Sequence, residues 1–303
     1  MTMSLIYENK NKNKNIKIYI STLSLPDKWL LNYVKKNSVN LLVGDITNDD
    51  ILKRIPKVDF IIHAAGYGQP KKFLKNSLNT YLINSKTTIE LFKKIKKKGT
   101  FLFLSTSEVY SGSSKAIHSE DDIGNTNTSH FRSSYIMSKK FSESLIFNFR
   151  NMGFRASSAR VALTYGPGVK LNDERALNEF IFKSIKGSIN LNDKGGDVRT
   201  YIYITDAIIM LLSILKNPKE GIYNVGGNST ISIYNLAKKI AYLNNVDVKL
   251  PKKNNKLIGS PNKVKLNINL IKKHSKIKNL IKLDYGLTKT NNWIKALTNL
   301  KNK

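Results

Sequence analysis

The sequence of 303 residues contains no cysteine. Without cysteine the chain has neither disulfide bonds nor thiolate metal sites, and a reducing compartment is expected. Its longest apolar run, residues 207–215, is too short to cross a bilayer as a helix. Residues 1–15 lack the apolar segment of a secretion signal. These absences predict a cytoplasmic protein with no membrane partner.

Acidic residues are also scarce, since 21 Asp and Glu stand against 51 Lys and Arg and the net charge is +30. Such an excess can indicate nucleic-acid binding. The lysines are, however, spread along the chain among asparagine and isoleucine, and Lys93–Lys98 is expected on the solvated side of a helix. No zinc-ligand, RNA-recognition or basic-zipper pattern is present. We interpret the charge as an AT-rich coding bias and expect no specific nucleic-acid partner, with nucleic-acid binding as an alternative.

Apolar runs alternate with helical patterns through the first half of the chain. Five runs predict buried strands at 16–21, 39–45, 58–66, 100–107 and 156–166. Helices are predicted at 82–98, 135–152, 173–186, 205–215, 231–243 and 291–300, with one more strand at 221–227. This alternation predicts an α/β fold with a parallel sheet covered on both faces. Ligands of such sheets bind at the carboxyl ends of the strands.

A tyrosine precedes a lysine by four residues in the stretch SSYIMSKKFSE at 133–143. Tyr135 and Lys139 therefore lie one turn apart on a predicted helix, where such neighbours are usually a solvated surface pair. An unperturbed tyrosine has a pKa near ~10 and is a poor base at neutral pH. A nearby ammonium favours the phenolate and lowers the pKa of the tyrosine. The pair is thus either polar helix surface or a base with its electrostatic partner.

Four further motifs accompany this pair. They are STSEVY at 105–110, Arg160-Val161 leading to Tyr165-Gly166-Pro167, Arg199-x-x-x-Tyr203-x-x-Asp206 and Tyr223-Asn224-Val225-Gly226. In order and spacing the five motifs resemble those of an extended short-chain dehydrogenase/reductase, in the branch of NAD-dependent nucleotide-sugar epimerases, dehydratases and decarboxylases. The resemblance runs from about residue 15 to the end of the chain.

The resemblance implies a Rossmann-type doubly wound parallel sheet with a smaller C-terminal substrate-binding α/β domain. Residues 1–166 would form the NAD-binding part, to which 199–227 returns. Residues 167–198 and 228–303 would form the substrate-binding part. The resemblance also implies NAD as the cofactor, a nucleotide sugar, UDP-linked, as the substrate, and a homodimer formed through two helices of each subunit.

The resemblance assigns the catalytic chemistry to Thr106, Tyr135 and Lys139. Tyr135 would remove a hydroxyl proton while hydride passes from sugar C4 to NAD. Lys139 would supply charge and bind the nicotinamide ribose, and Thr106 would hydrogen-bond the same sugar hydroxyl. Taken singly, Thr106 is typical of a strand-end cap and Tyr135 of a half-buried helix aromatic. Taken together, the motifs favour the catalytic interpretation.

Two short turns resemble the cofactor-contacting loops of this family. Asp45 and Ile46 resemble the adenine-contacting turn, although Asp45 could equally cap the following helix. Ala64, Ala65 and Gly66 resemble the loop beside the pyrophosphate, where small residues allow close approach. The four histidines are scattered, and none is assigned to a metal.

The substrate is indicated by Thr106-Ser107-Glu108 and by Arg199. Nucleotide-sugar 4,6-dehydratases carry Thr-Asp-Glu, so the acid for water loss is missing here. Thr-Ser-Glu is similar to UDP-glucuronate decarboxylases, in which a 4-keto intermediate loses its C5 carboxylate as CO2 and a matching arginine lies nearby. Arg199 could also be a rim salt bridge and Glu108 a solvated carboxylate. Because those enzymes usually have Asn at the position of Leu163, a 4-epimerase or reductase of the same family is the alternative.

The glycine-rich turn of the family is not found in the sequence. Members begin with a strand and a G-x-x-G-x-x-G turn that binds the NAD pyrophosphate, whereas Ser4–Glu8 resembles the end of the helix after that turn. Without that strand, two unpaired strand edges are expected inside the sheet. We favour a truncated or misassigned start, and a truncated, non-catalytic sugar-nucleotide-binding relative is the alternative of another class.

Overall fold

The computed structural model describes residues 16–171, 173–252 and 263–301, so the interpretation of Ser4–Glu8 lies outside the described residues. The strands are β1 (Tyr19–Thr22), β2 (Asn40–Val43), β3 (Val58–His63), β4 (Ile95–Thr106), β5 (Arg155–Val161), β6 (Leu163–Tyr165), β7 (Ser188–Asn190), β8 (Val198–Tyr203), β9 (Ile222–Val225), β10 (Ser229–Ser232), β11 (Asp247–Lys249) and β12 (Lys263–Val264).

The helices are numbered in the same way. They are α1 (Lys28–Lys36), α2 (Asp49–Lys53), α3 (Pro70–Lys75), α4 (Ser77–Asn84), α5 (Lys86–Phe92), α6 (Ser133–Asn151), α7 (Ala176–Ile185), α8 (Ile204–Lys216), α9 (Ile233–Asn244), α10 (Asn269–Ser275) and α11 (Leu283–Lys301). Of these described helices, none is long and apolar enough to cross a bilayer.

The main sheet has the order β3-β4-β5-β9, and all its neighbours are parallel. Successive side chains of β4 point to opposite faces, as strand geometry requires. Phe101 and Phe103 pack with Ile146 of α6 on one face. Leu102 packs with Met210 of α8 on the other. Burial on both faces explains the near-continuous apolar strands, and the predicted doubly wound α/β fold is confirmed.

In the described part of the chain, the main sheet ends at β3. Among the described residues, β1 and β2 pair only with each other, in a separate parallel sheet of two strands. Phe60 of β3 is 55% exposed, although it lies in a strand that the fold would otherwise bury. Ile46 and Leu52, which follow β2, still pack into the same cluster as Ile61 of β3. The break thus lies where the sequence predicts unpaired edges, and packing of the segment after β2 spans it.

A second, mixed sheet lies beyond the main one. Its centre is β8, which pairs with β10 in antiparallel and with β6 and β12 in parallel orientation. A second apolar cluster, including Ile181 of α7, Leu236 and Ile240 of α9, and Leu287 of α11, covers it. The sequence predicts that residues 199–227 return to the NAD-binding part. In the structure β8 belongs to the second sheet, whereas β9 belongs to the main sheet and α8 packs against it.

Two elements predicted from the sequence are wrong in detail. The single helix predicted at 82–98 is α4 and α5, and β4 already begins at Ile95. Ile95 is 9% exposed and pairs with Val58, and core packing therefore outweighs the helical pattern there. The lysines that follow are exposed as predicted, but on a strand. The strand predicted at 156–166 is likewise divided into β5 and β6, which belong to different sheets.

We expect amides of β1 and β2 to exchange faster than those of β4 and β5. The two-stranded sheet has a small apolar cluster of its own, centred on Val34 and Val39, and an isolated strand pair is marginally stable. Hydrogen exchange followed by mass spectrometry measures this difference. Equal protection in both sheets would show that β1 and β2 open only together with the main core.

Candidate active site

Lys139 lies on the buried face of α6, against the main sheet. Lys139 is only 4% exposed to solvent. The ammonium donates a hydrogen bond to the Leu104 carbonyl at 2.8 Å and lies 4.5 Å from the centre of the Phe103 ring. Burial lowers the pKa of Lys139 to about 7, while the Glu143 carboxylate acts in the opposite direction. Burial therefore disfavours the charged form of this lysine, and Glu143 favours it.

Tyr135 lies one turn before Lys139 and is held by stacking. Its ring is parallel to that of Phe73 from α3, with 4.5 Å between the ring centres. Burial, and then the charge of Glu108, raise the pKa of Tyr135 to about 12; a hydrogen bond with Thr106 acts against this. The sequence predicts a pKa lowered by Lys139, and this structure shows the opposite net direction because burial of the phenol is the largest effect.

Thr106 and Glu108 lie where β4 ends. The Thr106 hydroxyl accepts a hydrogen bond from the Glu108 amide at 3.2 Å and so caps the short 3₁₀ turn that begins at Ser107. Glu108 Oε1 accepts a hydrogen bond from Arg132 at 2.7 Å. Glu108 Oε2 is buried and has no partner among the described residues. Glu108 is therefore an ion-paired carboxylate with one free acceptor, and the interpretation as a solvated loop carboxylate is wrong.

Arg132, which the sequence motifs do not include, also belongs to this group of side chains. Its side chain is 8% exposed, pairs with Glu108 and lies 5.7 Å from the centre of the Phe73 ring. It thus connects the carboxylate to the aromatic ring on which Tyr135 stacks. Arg132 directly precedes α6 and lies three positions before Tyr135.

The turns after β2 and β3 carry the predicted cofactor residues. Ala64, Ala65 and Gly66 follow β3, and a Cβ added at Gly66 would lie 3.8 Å from the Lys139 ammonium nitrogen. Asp45 accepts hydrogen bonds from the amide and hydroxyl of the residue two positions on, at 2.9 and 2.8 Å. It does not cap α2, which is capped instead by Asn48.

Arg199 and Ile46 lie away from the close group of Gly66, Thr106, Tyr135 and Lys139. Ile46 packs against the cluster beneath β3. Arg199 lies on β8 and pairs with Asp197 at 3.1 Å, with both side chains 13% exposed. The ion-pair alternative for Arg199 is thus present in this structure.

A small cavity lies between β6, β8 and the start of α7. Leu163, Arg175, Asn178 and Tyr201 line it. The Tyr201 hydroxyl and the Asn178 Oδ1 atom are buried and have no partner among the described residues. The positive charge of Arg175 also acts to lower the pKa of Tyr135. The sequence motifs indicate this cavity through Leu163 and Tyr165, which also lines it.

The sequence profile of the NAD dependent epimerase/dehydratase family matches residues 9–226. The chain belongs to this family. UDP-glucuronic acid decarboxylase 6 of Arabidopsis thaliana is 28% identical over 197 residues, or 64% of this chain and 57% of that protein. UDP-glucuronic acid decarboxylase 1 of Xenopus tropicalis is 26% identical over 217 residues, or 69% and 52%. The matched part of the chain thus spans 57% and 52% of these relatives' lengths.

Solved structures share the fold over nearly the whole chain. The dTDP-glucose 4,6-dehydratase DesIV of Streptomyces venezuelae, with NAD and TYD bound, has a TM-score of 0.84 at 19% identity, covering 99% of this chain and 94% of that one. UDP-glucose 4-epimerase of Thermotoga maritima, with UDP-glucose, has a TM-score of 0.81 at 19% identity, covering 97% and 96%. The chain is an enzyme of this family.

NAD is the cofactor of the family, and the residues around Lys139 fit its nicotinamide ribose. An ammonium has three hydrogens, of which one is given to the Leu104 carbonyl. The missing side chain at Gly66, whose φ is +155°, leaves that face of the ammonium open. The fit concerns this end of the cofactor, because the sequence has no glycine-rich turn for the pyrophosphate.

We expect Glu108→Gln to lower the free energy of unfolding by about 1–3 kcal/mol, because Arg132 would lose its charged partner while it stays buried. Urea denaturation measures the change. Asp50→Asn is the control, since Asp50 pairs with Lys53 and both side chains are mostly exposed, at 82% and 77%; we expect an effect below ~0.5 kcal/mol. Equal effects of the two substitutions would contradict a structural role for the buried pair.

Proposed function

We propose that this enzyme oxidises a nucleotide sugar at C4 to a 4-keto intermediate, and that its specific reaction is the decarboxylation of UDP-glucuronate. The observation that carries the proposal is the arrangement of Thr106, Tyr135 and Lys139 around the open face at Gly66. The first two share a hydrogen bond, and the ammonium lies one turn further along the same helix. A phenol and an ammonium so placed can move a proton at a sugar hydroxyl.

Tyr135 is the proposed base. Its pKa of about 12 disfavours the phenolate, and so positive charge near the phenol is required for proton removal at neutral pH. Arg132 and Arg175 are cations that lower the pKa of this phenol, and Lys139 lies one turn further along the same helix. The Thr106 hydroxyl is hydrogen-bonded to the phenol of Tyr135 and can accept a hydrogen bond from the same hydroxyl of the substrate. NAD, when bound, accepts the hydride from C4.

Loss of CO2 then follows from the chemistry of the intermediate. A 4-keto sugar that carries its carboxylate on C5 is a β-keto acid. The C5–C6 bond breaks, CO2 leaves, and the electron pair moves through C5 to the C4 oxygen. C5 then takes a proton from solvent, which restores the 4-ketone. The hydride held by the bound cofactor would return to C4 while Tyr135 gives its proton back to the C4 oxygen. No acid is needed to expel water, and this agrees with Ser107 in the position where dehydratases carry Asp. Glu108, paired with Arg132, has a free oxygen that can accept a hydrogen bond from a sugar hydroxyl.

Two observations support the alternatives. Leu163 lines the small cavity where decarboxylases would have an amide, and this favours a changed sugar position, as in a 4-epimerase or reductase of the same family. The lack of a glycine-rich turn and the interrupted sheet favour a relative that binds a sugar nucleotide without catalysis. The intact group of Thr106, Tyr135 and Lys139 favours catalysis.

UDP-glucuronate labelled at C6 distinguishes these functions. We expect the purified protein, supplied with NAD, to release labelled CO2 and form a UDP-pentose. A 4-epimerised product without CO2 would contradict decarboxylation and support the epimerase alternative. Binding of the sugar nucleotide with neither product would support the non-catalytic alternative.

We expect Tyr135→Phe to lower turnover by about 10²–10⁴-fold, the usual contribution of a general base. Binding of NAD should change little, because the ring and its stacking on Phe73 are kept. Tyr242→Phe is the control, since Tyr242 is 89% exposed. Turnover by Tyr135→Phe that equals turnover by the control would exclude Tyr135 as the base.

A homodimer is proposed through α4 and α6. These helices pack side by side, because Asn84 donates to the Ser138 hydroxyl at 3.1 Å and Ser142 donates to the Asn84 carbonyl. Large apolar side chains remain exposed on their outer surface, and they are Leu78 (77%), Tyr81 (41%), Leu82 (41%), Phe141 (49%) and Phe147 (62%). Apolar surface of this kind commonly marks an interface.

We expect Leu78→Glu to convert the protein from a dimer to a monomer, because it places a charge in the proposed interface on each subunit. Light scattering after size-exclusion chromatography measures the mass. The control is Leu25→Glu, at a leucine that is 65% exposed outside α4 and α6. A wild-type monomer, or a dimer that survives Leu78→Glu unchanged, would contradict this interface.

A further inference from the structure

A buried ion pair lies directly behind Lys139. Glu143 is one turn further along α6, and both of its oxygens accept hydrogen bonds from Arg160 of β5, at 2.8 to 3.2 Å. The side chains are 6% and 3% exposed. Ser105, the residue before Thr106, also donates to Glu143. Hydrogen bonds from Ser105 of β4 and Arg160 of β5 thus fix the position of the Glu143 carboxylate.

The same hydrogen-bond network includes motif residues that have no part in the proposed chemistry. Arg160 also donates to the Tyr110 hydroxyl at 2.9 Å. Tyr110 in turn donates to Asn224 Oδ1 at 2.6 Å. Residues of two of the five sequence motifs, Ser105 and Arg160, therefore donate directly to Glu143. Asn224 of a third motif is connected to it through Tyr110 and Arg160. Such a fully connected buried network gives the carboxylate a single position.

Lys139 has few charged or titratable groups near it, and Glu143 is the one that favours its protonated form. The groups that interact with Lys139 are Glu143 on its own helix, His63 of β3 and the Leu104 carbonyl of β4, with Arg160 of β5 paired to Glu143. His63 is buried, and burial together with Lys139 lowers its pKa to about 3, so it is neutral and adds no charge.

We propose that Glu143 is a positioning residue of this site. Held by Arg160 and Ser105, its carboxylate keeps the positive charge on Lys139 and directs the ammonium toward the Leu104 carbonyl of β4. The catalytic meaning of this role rests on the proposed function, whereas the effect on Lys139 does not. Without Glu143, burial would act on Lys139 with no carboxylate to oppose it, and the charged form of the lysine would be less favoured.

NMR of protein labelled with ε-¹³C-lysine tests the effect on Lys139 without any substrate. Ordinary lysines do not titrate between neutral pH and about pH 9, so the resonance that moves near pH 7 can be assigned by its loss in Lys139→Arg. In Glu143→Gln we expect its midpoint to fall by about 1 pH unit or more. In Glu143→Asp, which keeps the charge, we expect a midpoint close to that of the wild type.

The double variant Glu143→Gln with Arg160→Gln removes both charges, and it answers the question if the single variant does not fold. A lowered midpoint in either folded variant supports the proposal. A midpoint unchanged by loss of the carboxylate in a folded variant overturns it, whether or not the protein decarboxylates UDP-glucuronate. Glu90→Gln, on the surface and paired with Lys93, is the control and should change nothing.

The pH profile of turnover gives the second readout. The active site needs Lys139 charged, so activity is present below the pKa of this lysine and is lost as the pH rises through it. The loss of activity on the alkaline side should move to lower pH in Glu143→Gln by the same amount as the NMR midpoint, and Glu143→Asp should restore it. A uniform loss of activity at every pH would show a merely structural role.

Discussion

The site depends on an ammonium that is buried beneath a sheet. Lys139 has almost no contact with solvent; its ammonium donates to the Leu104 carbonyl and lies over the Phe103 ring, and the Glu143 carboxylate acts against the lowering of its pKa by burial. These groups come from β4 and α6, the longest strand and one of the two longest helices. The packing of α6 on β4 therefore sets the position of Lys139 and, one turn earlier, that of Tyr135. The contacts that pack α6 on β4 are therefore also the contacts that position these two side chains.

This dependence explains how the site forms although the sheet is interrupted. The residues of the close group come from β3, β4 and α6, which all lie on the unbroken side of the interruption. The β1–β2 pair contributes only Asp45 and Ile46, at the far end of the proposed cofactor site. The group of Thr106, Tyr135 and Lys139 thus lies within the part of the described sheet that runs from β3 to β9.

The sequence predicted those features that repeat locally. Alternating apolar strands gave the sheet, and the spacing of Tyr135 and Lys139 gave their shared face on α6. The sequence could not predict that burial would raise the pKa of Tyr135, because that shift depends on Phe73 from another helix and on Glu108. Ion pairs between distant segments, such as Arg132 with Glu108 and Arg160 with Glu143, have no local pattern. The strand start at Ile95 was missed for a related reason, since its burial is decided by β3.

The central claim is that Thr106, Tyr135 and Lys139 form a working cofactor site in this polypeptide. The most direct test is to denature the purified protein and measure the NAD(H) that it releases. The account predicts about one molecule of NAD(H) per chain, or the same amount bound after NAD is added. Protein that folds, releases no NAD(H) and binds none on addition would contradict it.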